Sequence, residues 1–114
     1  MQKWSIVRTE YGYVPIPDFD LRCPFCGDRM LLHRFFASYS VSEKIYHFDV
    51  HVKCIYCSFY AIFGVPCDRE TVEKLQKSSL CGKIINREVA LKLSEYYHVD
   101  TSIVEKRLRA LGYW

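Results

Sequence analysis

Two cysteine pairs constrain this chain more than anything else in it. Cys23-Pro24-Phe25-Cys26-Gly27 and Cys54-Ile55-Tyr56-Cys57 leave 27 residues between Cys26 and Cys54. A C-x-x-C segment can bend so that both sulfurs and the backbone N–H groups of the turn face one ion, and four thiolates complete a tetrahedral structural site. Gly27 stands where such a turn needs a left-handed residue to leave it. The spacing therefore predicts that Cys23, Cys26, Cys54 and Cys57 hold one structural Zn²⁺, with no position open for water. Four buried or disulfide-bonded cysteines are the alternative. Iron in the same four-thiolate geometry, with a rubredoxin-like redox role, is a further one, disfavoured because Ser58 stands where that turn wants glycine.

The segment between the pairs alternates as strands do. Met30 to Tyr39 and Lys44 to Lys53 read as two strands joined around Ser40-Val41-Ser42-Glu43. In the second, Tyr46, Phe48, Val50 and Val52 share one face, and Ile45, His47, Asp49, His51 and Lys53 the other. Phe59-Tyr60-Ala61-Ile62-Phe63, ended by Gly64-Val65-Pro66, supplies a third strand. The expected fold class is α+β: a three-stranded antiparallel zinc ribbon followed by a small three-helix region. Zinc ribbons serve nucleic-acid binders, enzymes and interaction modules alike, so this fold does not name a job. His47 and His51 are too far apart along the strand to share an ion that already has four ligands, and are read as surface residues; His33 and His98 have less still to recommend them as ligands.

Upstream, Met1 to Leu21 carries Trp4, Tyr11 and Tyr13, with Pro15 and Pro17 favouring extended backbone. This reads as an N-terminal arm or edge strand whose aromatics cover the ribbon or, alternatively, stack on bases. Residues 1–66, arm plus ribbon, are expected as one unit and 67–114 as a helical second. In the latter, Asp68 caps a short helix with Val72 and Leu75 inward, and Asn86 caps one with Val89, Ala90 and Leu93 on one side, extended by Tyr96 or Tyr97. Asp100 caps a third helix with Ile103, Val104, Leu108 and Leu111 as its apolar residues, ended by Gly112. Cys67 and Cys81 read as small buried residues, with a disulfide or extra ligands as alternatives.

The last two helices form a helix-turn-helix pattern: Ala90 lets them approach, Val99 plugs the angle, and Val104 and Leu108 anchor the second. Its outer face carries Thr101, Ser102, Glu105, Lys106 and Arg109. Thr101, Ser102 and Lys106 are candidate phosphate contacts, and Arg109 is suited to a phosphate or a guanine edge. A merely solvated helical hairpin is the competing reading, and Glu105 works against a phosphate-facing surface.

Tyr97-His98-Val99-Asp100, followed by Val104, Arg107-Leu108, Leu111 and Gly112, resembles the C-terminal end of ImmA/IrrE-type metallopeptidases, which cleave phage and stress-response repressors. Phe63-Gly64-Val65-Pro66 and the helix after it resemble a stretch lying upstream in that family. The likeness covers about the second half of the chain. The family's H-E-x-x-H zinc-binding helix is absent, so its peptidase chemistry does not carry over; the resemblance implies phage- or mobile-element-related regulation with the catalytic half replaced by a binding module.

Composition agrees with a globular chain: 114 residues, half of them apolar, and a net charge of +3 that permits nucleic-acid binding without requiring it. A core this small leans on the ion, worth on the order of 10 kcal/mol of folding free energy. The chain shows no secretion signal or membrane span, and its free thiolates suit a reducing compartment, so a cytoplasmic location is expected. It shows no paired acid and base, no nucleophile beside a base and no phosphate-cradling glycine loop, so no enzymatic activity is expected. The sequence thus predicts a zinc-dependent DNA-binding protein that regulates transcription in a phage, virus or archaeal host. The alternative is a protein-interaction adaptor that docks through the ribbon and its aromatic arm. Oligomeric state is open.

Overall fold

The computed structural model describes residues 3–97 and 100–111, with side chains described as far as residue 109. Among these residues the fold is α+β, with five strands in two antiparallel sheets and three α-helices.

The N-terminal segment is not an arm but a hairpin, β1 (Trp4–Thr9) paired with β2 (Gly12–Pro17). Its turn is Glu10-Tyr11, with Gly12 at φ +103°. Pro15 and Pro17 belong to β2 because, two residues apart, their missing N–H groups fall on the same edge, away from β1. Trp4 packs its ring against Phe19 at 5.4 Å and Phe63 at 5.5 Å, and Tyr11 and Tyr13 are half-buried against the core. These aromatics cover the larger sheet.

That sheet runs in the order β3 (Met30–Ser40), β4 (Ile45–Cys54), β5 (Tyr60–Cys67), with β4 central. As its alternation predicts, β4 turns Phe48, Val50 and Val52 inward, with Tyr46 half-buried beside them. β5 is longer than the sequence suggests: it continues through Gly64, Val65 and Pro66 to Cys67. An edge strand tolerates the proline, which sits opposite His47, and Gly64 sits opposite Asp49, whose Oδ1 a Cβ there would meet at 3.3 Å.

The helices begin where their caps predict. Asp68 Oδ1 accepts from the Thr71 N–H ahead of α1 (Arg69–Gln76), Asn86 Oδ1 from the Val89 N–H ahead of α2 (Arg87–Leu93), and Asp100 Oδ1 from the Ser102 N–H at the start of α3 (Thr101–Leu111). A 3₁₀ turn, Ser94–Tyr96, follows α2. In α3, Val104 and Leu108 are buried, but Ile103 is exposed and takes no part in the apolar stripe. His98, Val99 and Gly112 lie outside the described residues, as does the Leu111 side chain, so the turn of the helix-turn-helix pattern falls outside them too.

The chain after α1 seals the free edge of β3. Gly82 N–H donates to Phe35 O and Ile85 N–H to His33 O, each at 2.8 Å, and Gln76 Nε2 donates to Ala37 O at 2.9 Å. Leu32 N–H, at an irregularity in the β3–β4 register, donates to the hydroxyl oxygen of half-buried Tyr97 at 2.8 Å. An edge whose groups are satisfied this way offers no template for a foreign strand. One cluster of buried side chains joins all the parts: Val14 and Ile16 from the hairpin, Phe35 and Val50 from the sheet, Leu75, Leu93 and Val104 from the helices. Cys67 and Cys81 are half-buried free thiols, as the burial reading expected.

Candidate metal centre

The two cysteine turns are built alike. In the first, Gly27 N–H donates to Cys23 O, and Cys23 N–H donates to Asp28 O at 2.8 Å; in the second, Cys54 N–H donates to Phe59 O at 2.8 Å. Gly27 leaves its turn at φ +75°, as predicted, and Ser58 leaves the other at φ +65°. Serine at this position therefore does not prevent the turn, and the argument against iron drawn from it falls away. Ile55 N–H donates to Arg29 O at 3.1 Å and ties one turn to the other.

This pairing brings the four predicted sulfurs together, all within 4.8 Å of one another. Cys23 and Cys57 approach to 3.4 Å across the turns, as do Cys26 and Cys54. A tetrahedron with metal–sulfur bonds of about 2.3 Å has edges of about 3.8 Å, within the spread of these separations. In each pair the first cysteine is buried and the second exposed, so the ion would sit at the tip of the sheet with its inner side packed. The N–H groups of Tyr56 and Cys57 both donate to Cys54 Sγ at 3.4 Å.

The thiols differ in acidity. Burial pushes Cys23 up, but the N–H groups of Cys26 and Phe25, aided by the neighbouring sulfurs, outweigh it and bring the thiol down to about 7. Cys54 is pushed up to about 12, chiefly by burial, against a smaller pull from the N–H groups of Cys57 and Tyr56. A bound cation removes such protons outright, since only thiolates coordinate. The donor set fits one metal ion.

Sequence reasoning missed what fastens the second half of the chain to this site. Arg107 on α3 pairs with Asp28 at 3.2 Å and lies over the Tyr56 ring at 4.8 Å, touching a residue of each cysteine turn. In the sequence Arg107 stands out only within the stretch that carries the metallopeptidase resemblance, because neither partner is near it in sequence.

The four proposed nucleic-acid contacts, Thr101, Ser102, Lys106 and Arg109, are all exposed on α3. Ser102 is engaged locally, its hydroxyl donating to Asp100 Oδ1, and Arg109 pairs with Glu105 at 2.7 Å. His47, read as a surface residue, is half-buried: Ser38 Oγ lies 3.2 Å from its Nε2 and Asp49 Oδ2 lies 3.4 Å from its Nδ1. Strand pairing assembles this serine–histidine–aspartate array from β3 and β4, which no local spacing reveals.

Comparison with known proteins returned no matching family model, no matching curated protein and no matching solved structure. The likeness of the second half to ImmA/IrrE-type metallopeptidases gains no support from it. What stands is an α+β chain with a four-cysteine centre able to hold one metal ion. No described helix is long and apolar enough to cross a membrane.

Proposed function

We propose that this chain is a small zinc-ribbon protein that binds DNA and regulates transcription, with Zn²⁺ as a purely structural ion and α3 as the reading element. The observation that carries this reading is the Arg107 clamp. Through it, the helix bearing Thr101, Ser102, Lys106 and Arg109 is fixed to the frame that the ion holds together. In this reading α2 and α3 act as a helix-turn-helix pair. Thr101, Ser102 and Lys106 meet phosphates, and Arg109 exchanges Glu105 for a phosphate or a guanine edge. The test is a mobility shift on duplex DNA at several salt concentrations. Lys106→Glu and Arg109→Glu should each weaken binding, and Lys106→Glu should lower the slope of log K against log salt by about 1. Wild-type affinity in both variants defeats the reading. Metal analysis of purified protein should return one zinc per chain.

A second reading, a protein-interaction adaptor, is favoured by Phe25. This side chain is 78% exposed at the tip of the first cysteine turn, with the Phe59 ring against it at 4.9 Å, and Tyr56 is half exposed on the second turn. Since the hairpin aromatics are committed to the fold, docking would pass through these tips. Partner capture that Phe25→Asp abolishes and Lys106→Glu leaves intact separates this reading from DNA binding.

A further inference from the structure

The outer face of the larger sheet is not used by either reading, and its composition is unusual for a solvated sheet. Four rings cluster on it: Phe36 of β3 lies 5.5 Å from His51 of β4, His51 lies 5.6 Å from Tyr60 of β5, and Tyr60 lies 5.5 Å from His33, again on β3. All three contacts are tilted steeply, at 65° to 82°, so neighbouring rings meet edge to face. His51 Nδ1 and the Tyr60 hydroxyl are hydrogen-bonded at 2.7 Å, which fixes the ring of Tyr60 while leaving that residue 43% exposed.

Cations flank this cluster. Arg34 holds its guanidinium 4.4 Å from the centre of the Phe36 ring, and among the described residues no carboxylate lies within ion-pair distance of it. Lys53 stands on the same face of β4, directly opposite Tyr60. The one acid of that face on β4, Asp49, stands opposite Phe36 and pairs with His47. Ile62, 60% exposed on β5 opposite His51, extends the apolar part.

We propose that this face is a stacking platform for a single-stranded polynucleotide. Tyr60 and the exposed Ile62 beside it receive bases, while Arg34, held over the face of Phe36, and Lys53 meet phosphates. A duplex keeps its base faces covered; only a single strand offers aromatic faces and closely spaced negative charge together. An acidic protein segment would satisfy the cations but leave the ring cluster without a partner. The platform lies on β3–β5 and owes nothing to α3, so it stands or falls separately from the duplex-reading proposal.

The test is fluorescence anisotropy with zinc-loaded full-length protein and labelled oligothymidylate or oligouridylate, competed by a duplex of equal length and by polyglutamate. The single strands should bind, RNA and DNA arms reporting which sugar is preferred, with the duplex and the polyglutamate competing at least about tenfold more weakly. Tyr60→Ala should weaken binding by about tenfold or more and Tyr60→Phe by less than about twofold, since stacking needs the ring and not the hydroxyl. Arg34→Gln should lower the salt slope by about 0.7. Metal content and circular dichroism confirm that each variant is folded. Absence of binding, equal binding by the duplex, displacement by polyglutamate as effective as by unlabelled oligonucleotide, or wild-type affinity in folded Tyr60→Ala overturns the proposal.

Discussion

Ser58 and Gly27 occupy the same place in the two cysteine turns, and only one of them is suited to it. An L-residue at φ +65° carries a steric cost of about 1–2 kcal/mol that glycine does not. Part of that relief is offset because glycine leaves the unfolded chain freer. Ser58→Gly should therefore raise stability by about 0.5–1 kcal/mol in denaturant titration, with metal content unchanged. The histidines of the sheet give a second prediction at this scale. His33 is held below the usual imidazole range, first by burial and then by Lys53, His51 and Arg34; His51 is held down by burial and Arg34 against a smaller opposing pull from Asp49. The unfolded chain takes up these protons near pH 6.5 and the folded chain resists them. Protonation thus favours the unfolded state, so stability is intact above about pH 6.5 and is lost as pH falls through that value. Melting temperatures measured between pH 7.5 and 5 should fall, and a His33→Gln/His51→Gln chain at equal metal content should fall less steeply.

At the scale of elements, the hairpin depends on how closely it meets the chain after α1. Tyr11 O accepts from Ser79 N–H at 2.8 Å and from the hydroxyls of Ser78 and Ser79, and a Cβ on Gly12 would stand 2.9 Å from the Ser78 Cα. Gly12→Ala combines that clash with an unfavourable φ of +103°, and should cost about 2–4 kcal/mol in thermal or chemical unfolding. Much of this level was legible in the sequence. The alternation of β4, the three helix caps and the paired cysteine turns could all be read locally, because each is set by contacts within a few residues. What was hidden is the proline of β5: Pro66 looks like a breaker until the strand is known to have a side that needs no donor. The ring cluster on the outer face was hidden for a related reason, since Phe36, His51 and Tyr60 become neighbours only through strand register.

For the molecule as a whole, the metal centre and the C-terminal helix form one mechanical unit. The four sulfurs were legible from spacing alone, whereas the Arg107 contacts with Asp28 and Tyr56 depend on the tertiary fold. Chelation of the ion should loosen the large sheet and release α3 with it, seen as a coincident loss of sheet and helix signals in circular dichroism and as loss of protection at Val104 and Leu108 in hydrogen exchange. Arg107→Ala should leave metal content unaltered but quicken metal loss to a competing chelator several-fold, because the turns then open without first shedding the helix. Sheet and helix signals that disappear in separate steps would show the coupling to be absent. The same clamp bears on how the chain is made. Synthesis delivers all four sulfurs well before the segment carrying Arg107, so the nascent protein can capture its ion while the turns are still accessible. Residues that emerge later then fasten it in place: acquisition comes early and retention late.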